Sequence, residues 1–304
     1  MSKSIFVFTV TGEQGSSVAK YMLEAEWQVS GLTRNLESES AKKLAESGVK
    51  LLKGDLADRA SYEHLLKGHD AVFVNADFWT VYTHNGYNGD EAGKEETRQA
   101  MAAIDACNQA GIPHIVYSTL EGEDIPHWQS KHLVNEWIRE HNIPVTQLYT
   151  SSFNSNMYRF DYLKSDGQGG LLLNIQTLDD ARVPTVSSEQ MGAWVKTAVE
   201  NPEEWKGKNM YACTDYLTVK EMAHILSEYM GKKVDTPHLT PEALESDVTV
   251  SIVGFEIWCQ NKVWASGTVI RDVEESKRIA PGVWTFKEWC EKSEKFHEYL
   301  AQLK

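Results

Sequence analysis

Two glycines, one arginine and their spacing carry the chemistry that can be read from this chain. An apolar run, Ser4-Ile-Phe-Val-Phe-Thr-Val10, leads into Thr11-Gly-Glu-Gln-Gly-Ser-Ser17 and then into a helix-like segment. Gly12 and Gly15 have no β-carbon, so the backbone can turn sharply there and come close to a pyrophosphate, whose charge the N–H groups opening the next helix would face. A second apolar run, Trp27-Gln-Val-Ser-Gly-Leu-Thr33, ends in Arg34-Asn35 rather than in an acid. A carboxylate at that place takes a ribose 2′-hydroxyl, whereas a guanidinium suits a charged 2′-phosphate. The spacing therefore implies a dinucleotide site that prefers NADP(H). An exposed arginine with no partner is the plain alternative. One position departs from the G-x-x-G-x-x-G fingerprint: Thr9 stands where its first glycine would be.

The elements needed to hold such a site follow in order. Gln28 to Thr33 reads as a strand, Ser38 to Ser47 as a helix, and Val49 to Lys53 as a strand closing on Gly54-Asp55-Leu56. Asp70 to Asn75 is a buried strand, Glu91 to Ala110 a long helix stopped at Gly111, and Ile115 to Ser118 a strand. Lys131 to His141 reads as a helix and Val145 to Tyr149 as a sixth strand. This βαβ alternation predicts an α/β fold, a Rossmann-type doubly wound parallel sheet, over residues 1–150. Beyond it, Arg182 to Val186 is a short extended piece, Ser188 to Glu200 and Thr218 to Met230 are helices, Pro241 opens another, and Trp284 to Trp289 sits in the last one. Residues 151–304 are thus expected to form a smaller, mostly helical lobe, interleaved with the first and covering the cofactor and substrate cleft at the carboxyl ends of the strands.

Composition sets bounds on function. The 304 residues carry a formal net charge of -14, which argues against direct, sequence-independent binding to nucleic acid, because phosphate neutralisation needs clustered Lys and Arg. No apolar run is long enough to span a bilayer and Met1-Ser-Lys-Ser has no secretory pattern, so a cytoplasmic protein without a membrane segment is expected. Cys107, Cys213, Cys259 and Cys290 are scattered, with no metal-ligand spacing, and read as reduced thiols.

With these residues lined up, the chain resembles the NmrA-like family of atypical short-chain dehydrogenase/reductases, whose members include a human redox sensor and a fungal nitrogen regulator. The resemblance runs over nearly the whole length. It rests on Thr11-Gly-Glu-Gln-Gly-Ser-Ser-Val18, Leu32-Thr-Arg-Asn35, Lys53-Gly-Asp-Leu56, Phe78-Trp79, Ala92-Gly-Lys94, Ile115-Val-Tyr-Ser118, Phe153-x-x-Asn156, Leu239-Thr-Pro-Glu242 and Phe286-Lys-Glu-Trp289. What it implies is NADP(H) bound with Thr11, Gly12, Gln14 and Gly15 at the pyrophosphate and Arg34 at the 2′-phosphate. Asp55 and Leu56 would flank the adenine, Asn75 or Ala76 the ribose, and Ser152 and Phe153 the nicotinamide side. Lys94 and Lys131 match lysines near the cofactor, although Lys94 also reads as an exposed lysine near a helix start.

Hydride transfer in short-chain dehydrogenases uses a Tyr-x-x-x-Lys pair whose lysine lowers the tyrosine pKa. Here Lys131 is preceded at that spacing by His127, read as a loop histidine, and the pair is absent. Tyr117 lies on a different element, and Ser118 is either a catalytic serine's equivalent or a strand-end hydroxyl. Lys131 remains the candidate catalytic residue, able to bind ribose and polarise a carbonyl, or else simply a cofactor-holding lysine. Phe78, Trp79, Tyr82, Trp128, Phe153 and Tyr158 either line an aromatic pocket or pack the lobe against the sheet, the latter being favoured; Trp258, Trp264, Trp284 and Trp289 read as core. These features lead to an NADP(H)-binding redox sensor or regulator with a protein partner. The alternative is an NADPH-dependent reductase of a small aromatic, quinone or carbonyl substrate. A homodimer is compatible with either.

Overall fold

The strands that the apolar runs predict are all present in the computed structural model, which describes residues 2–303. In chain order they and their helices are β1 (Ser4–Val7), α1 (Glu13–Glu24), β2 (Gln28–Thr33), α2 (Glu39–Glu46), β3 (Lys50–Lys53), β4 (Ala71–Val74), α3 (Phe78–His84), α4 (Gly89–Gln109), β5 (His114–Thr119), α5 (Pro126–Glu140) and β6 (Val145–Tyr149). Further on come β7 (Ser152–Phe153), α6 (Asn156–Arg159), β8 (Leu163–Ser165), β9 (Leu171–Leu173), β10 (Arg182–Val186), α7 (Met191–Glu200), α8 (Pro202–Trp205) and β11 (Asn209–Tyr211). The chain closes with β12 (Asp215–Thr218), α9 (Val219–Met230), β13 (Val234–Asp235), α10 (Pro241–Leu244), α11 (Asp247–Val253), α12 (Phe255–Ser266), α13 (Val273–Ile279), α14 (Phe286–Lys292) and α15 (Glu294–Gln302).

Two compact units result. One runs from the start of the chain to Thr150 and takes in Glu189–Ala212; the other holds Ser151–Ser188 and the residues from Cys213 onward. The first unit carries a seven-stranded sheet in the order β11-β6-β5-β4-β1-β2-β3, parallel throughout. The order reverses at β1, between β2 and β4, and at such a switch point the loops leaving the strands part to form a crevice. Phe6, Phe8, Val72, Val74, Ile104 and Tyr117 are buried in its core. On the α1 side, a β-carbon at Gly192 would sit 2.4 Å from the Ser17 carbonyl, so only glycine lets α7 press this closely onto α1.

The second unit holds two three-stranded sheets, β12-β10-β7 and β13-β9-β8, among helices. In its aromatic core Trp289 stacks on Phe286 at 5.8 Å between ring centroids and meets Phe296 at 4.4 Å with the rings tilted by 34°. Trp264 and Trp289 are buried, whereas Trp258 and Trp284 are half-exposed.

Some boundaries differ from the sequence reading for identifiable reasons. Pro126 starts α5 five residues before Lys131, since a proline at the first helical position gives up only an N–H that has no helical partner. His127 is therefore a helix residue, not a loop histidine. Trp284 precedes α14, which Thr285 caps through a box with Glu288, and α15 rather than α14 is the last helix. Among the described residues no helix is long and apolar enough to cross a membrane, and no group of His, Cys, Asp and Glu could hold a metal ion.

Candidate dinucleotide groove

The site begins where β1 ends. Phe8 still donates to the Phe73 carbonyl, and then the chain turns at Thr9, whose φ is +49°. This is the left-handed region that a fingerprint glycine occupies without strain and a β-branched residue rarely enters. The turn is closed by Gly12 N–H, which donates to the Thr9 carbonyl at 2.9 Å. Gly12 is the N-cap of α1 and supplies no side-chain cap, so the helix end presents backbone N–H groups. A β-carbon at Gly15 would lie 2.4 Å from the Thr9 carbonyl oxygen and 2.8 Å from Val10 Cα, backbone atoms that cannot step aside. Gly15 thus seats α1 on β1, while the Gly12 turn leaves room above it.

Above the turn lies a cavity of about 430 Å³, lined among others by Thr11, Gly12, Arg34, Ser38, Asp55 and Leu56. Arg34 follows directly on β2 and is exposed. It makes no hydrogen bond or ion pair with any other described residue, unlike Arg59, Lys94 and Arg98, which hold carboxylates at 2.6–2.9 Å. Asp55 Oδ1 accepts from Ala57 N–H at 2.9 Å, and Ser38 caps α2.

Deeper residues form a hydrogen-bonded floor. Ser118 Oγ donates to Gln14 Oε1 at 2.8 Å, tying the end of β5 to the first turn of α1. Thr9 Oγ1 donates to the Asn75 carbonyl at 3.3 Å, and the buried Oδ1 of Asn75 has no partner among the described residues. Lys131 Nζ donates to the Ala76 carbonyl at 3.2 Å and lies 2.9 Å from Oε1 of Glu96, whose side chain has no exposed surface. Ser130 Oγ donates to the other oxygen of the same carboxylate. Lys131 Nζ also lies 5.9 Å from the Tyr117 ring centroid. Burial, and then the Glu96 charge, push the Tyr117 phenol well above its ordinary pKa. That is the wrong direction for a proton donor in hydride transfer.

His127 is buried, with its ring 5.6 Å from Phe78 and 5.1 Å from Trp79. Phe78 in turn stacks on Tyr82 at 5.4 Å, and Trp128 is buried, so in this unit these aromatics pack among themselves.

Of the residues singled out in the sequence, the structure brings Thr11, Gly12, Arg34, Asp55 and Leu56 to one cavity. Gln14, Gly15, Asn75, Ala76 and Lys131 are not among its lining residues; Asn75 is tied to the lining residue Thr9, and Lys131 to Ala76. Lys94 is exposed, bonds Glu91 at 2.7 Å, and lines a neighbouring groove that it shares with Arg34. Ser152 and Phe153 form β7 of the second unit, paired with Thr185 and Val186 of β10. Sequence reasoning did not pick out Ser38, Asp77 or Glu96. Ser38 and Asp77 carry a usable signal as helix caps; Glu96, in a Lys-Glu-Glu-Thr-Arg stretch, carries none.

Comparison with known proteins fits this geometry. Residues 1–299 match the model of the NmrA-like family. The nitrogen metabolite repression protein of Neurospora crassa is 24% identical over 277 residues, 76% of this chain but only 54% of that protein, so the chain spans about half of its length. An NmrA-like family domain-containing oxidoreductase of Aspergillus hancockii is 25% identical, with 76% of this chain and 74% of that one covered. Among solved structures, NmrA, a negative transcriptional regulator, in complex with NADP superposes with a TM-score of 0.79 at 18% identity, covering 100% of this chain and 98% of that one.

Proposed function

The chain belongs to the NmrA-like family, and on that premise we propose that it binds NADP(H) in the groove above the Thr9–Gly12 turn and acts as a redox sensor. The observation that carries this reading is Arg34, a cation without a protein partner that shares a cavity with Gly12, Asp55 and Leu56. The residues present fit the group. Gly12 lines the cavity with no side chain over the first turn of α1, whose N–H groups would face a pyrophosphate, while Gly15 lets α1 sit close on the Thr9 turn; Arg34 suits a 2′-phosphate, and the orphaned Asn75 Oδ1 would accept from a ribose hydroxyl. Thr11 and Gln14 would flank the pyrophosphate, Asp55 and Leu56 the adenine, and Ala76 the ribose. Lys94 and Lys131, paired with Glu91 and Glu96, would offer N–H donors nearby. When bound, the cofactor would supply hydride chemistry; the chain's own residues bind and orient it.

Sensing is favoured over turnover because the described residues that could replace the missing tyrosine are each engaged elsewhere. His127 occupies the position of the tyrosine and is packed among aromatic rings, Tyr117 holds its proton tightly, and the Lys131 ammonium is already engaged by Glu96 and Ala76. On this reading the protein is cytoplasmic, and a regulatory protein partner, or a second copy of the chain, takes up the signal. The test is hydrogen exchange on the NADP-loaded and NADPH-loaded protein. Distinct protection patterns support sensing; identical patterns with equal affinities contradict it.

A second reading, NADPH-dependent reduction of a small aromatic, quinone or carbonyl compound, is favoured by Lys131 itself. Its side chain keeps 12% of its surface exposed while Glu96 holds it, as an ammonium orienting a carbonyl would. Steady NADPH consumption with any member of a quinone, aldehyde and enone panel would establish it.

A further inference from the structure

A 2′-phosphate monoester carries a charge of about -1.5 to -2 at neutral pH, which one guanidinium cannot balance. The structure holds a second unpartnered cation beside Arg34. In the β2–β3 pairing Thr33 lies opposite Lys53, and Gly54 N–H donates to the Thr33 carbonyl at 3.1 Å, so the residues that follow the two strands leave the sheet together. Arg34 and Lys53 line one cavity of about 550 Å³, with Asp55 and His64 in its wall. Neither cation makes a hydrogen bond or ion pair with any other described residue, and Asp55 is held by Ala57 N–H. The chain has 44 acids and 30 Lys and Arg residues, and the nearby Arg59, Lys94 and Arg98 all hold carboxylates. Two neighbouring cations left bare in so acidic a protein repel each other, and a shared dianion turns that repulsion into attraction.

We propose that Lys53 is a second specificity-determining residue, and that the preference for NADP(H) is divided between the ends of β2 and β3. This rests on the dinucleotide reading above. The Lys53-Gly-Asp-Leu56 motif gave Lys53 no role, because its place beside Arg34 follows only from the β2–β3 register.

The test is calorimetric titration of wild type, Arg34→Ala, Lys53→Met, Lys53→Arg and the double variant Arg34→Ala/Lys53→Met with NADP and NAD, together with the Tm of each free protein. Lys53→Met should weaken NADP by about tenfold and leave NAD unchanged, the size of one charge-assisted bond. Arg34→Ala should retain a residual preference that the double variant loses, Lys53→Arg should keep the wild-type preference, and free Lys53→Met should melt no lower than wild type. An NADP affinity unaltered in Lys53→Met, in a wild type that prefers NADP, overturns the role of Lys53 alone. A wild type that binds neither dinucleotide, or both equally, overturns the dinucleotide reading and this inference with it.

Discussion

Lys131 Nζ lies 2.9 Å from Oε1 of Glu96, a carboxylate with no exposed side-chain surface that also accepts from Ser130. The pair joins α5 to α4. Removing one partner of such a pair strands the other charge, and this is costlier than replacing both. Lys131→Met should therefore destabilise the protein by about 3–5 kcal/mol, Glu96→Gln by less because Lys131 can still reach solvent, and the double variant by less than the sum of the two. Urea unfolding of the four proteins measures this; additive losses would show that the pair is not coupled. Any loss of activity in a lone Lys131 variant must be read against this cost.

The fingerprint position that holds Thr9 allows a second test. At φ +49° a β-branched side chain is strained, and its Oγ1 bond to the Asn75 carbonyl is long at 3.3 Å. Glycine relieves the strain but frees the unfolded chain, whereas alanine keeps the strain and loses the bond. Thr9→Gly is expected to be more stable than Thr9→Ala by about 1 kcal/mol, with dinucleotide affinity retained. Gly15→Ala should do much worse than either, since its new methyl meets the Thr9 carbonyl oxygen at 2.4 Å. Thermal unfolding gives the order, and a Thr9→Gly protein less stable than Thr9→Ala would refute it.

His114, at the start of β5, is buried with its Nε2 2.7 Å from Thr146 Oγ1. Burial, and then the nearby Lys206 charge, bring its pKa down from 6.5 to about 4. Between those values the unfolded chain binds a proton that the folded chain does not. This contribution to stability is therefore complete above about pH 6.5 and is lost as pH falls toward 4. About 2–3 kcal/mol should disappear over that window. His114→Gln, which keeps a neutral hydrogen-bonding side chain, should flatten the profile of unfolding free energy between pH 6.5 and 4; an unchanged slope would assign the acid sensitivity elsewhere.

What the sequence reveals here depends on how local the physics is. β2 and β6 begin and end where the sequence places them, because a short run of strand-forming residues lies between turn and helix signals on either side. Gly12, Gly15 and Arg34 were legible for the same reason, since turn, helix start and strand end are adjacent in sequence. The start of α5 was missed because Ile125-Pro126-His127 reads as a loop until one sees the proline at the first helical position. Likewise α3 hid in an aromatic stretch that its Asp77 cap would have marked. Glu96 and Lys53 depend on tertiary neighbours. A glutamate in a charged helix reads as a solvent face, and whether it is buried is decided by α5; Lys53 gains meaning only when β3 pairs with β2 in register. The pairing of Asn209 with Gln147, 62 positions apart, has no local signature either.

The claim that Arg34 marks an NADP(H) site is tested most directly by titrating the wild-type protein with NADPH, NADP, NADH and NAD side by side, and repeating the series with Arg34→Ala. The phosphorylated pair should bind more tightly than the other two, and Arg34→Ala should weaken that pair by about tenfold to a hundredfold while scarcely changing the others. Equal affinities for all four in the wild type, or an equal loss for all four in the variant, would contradict it.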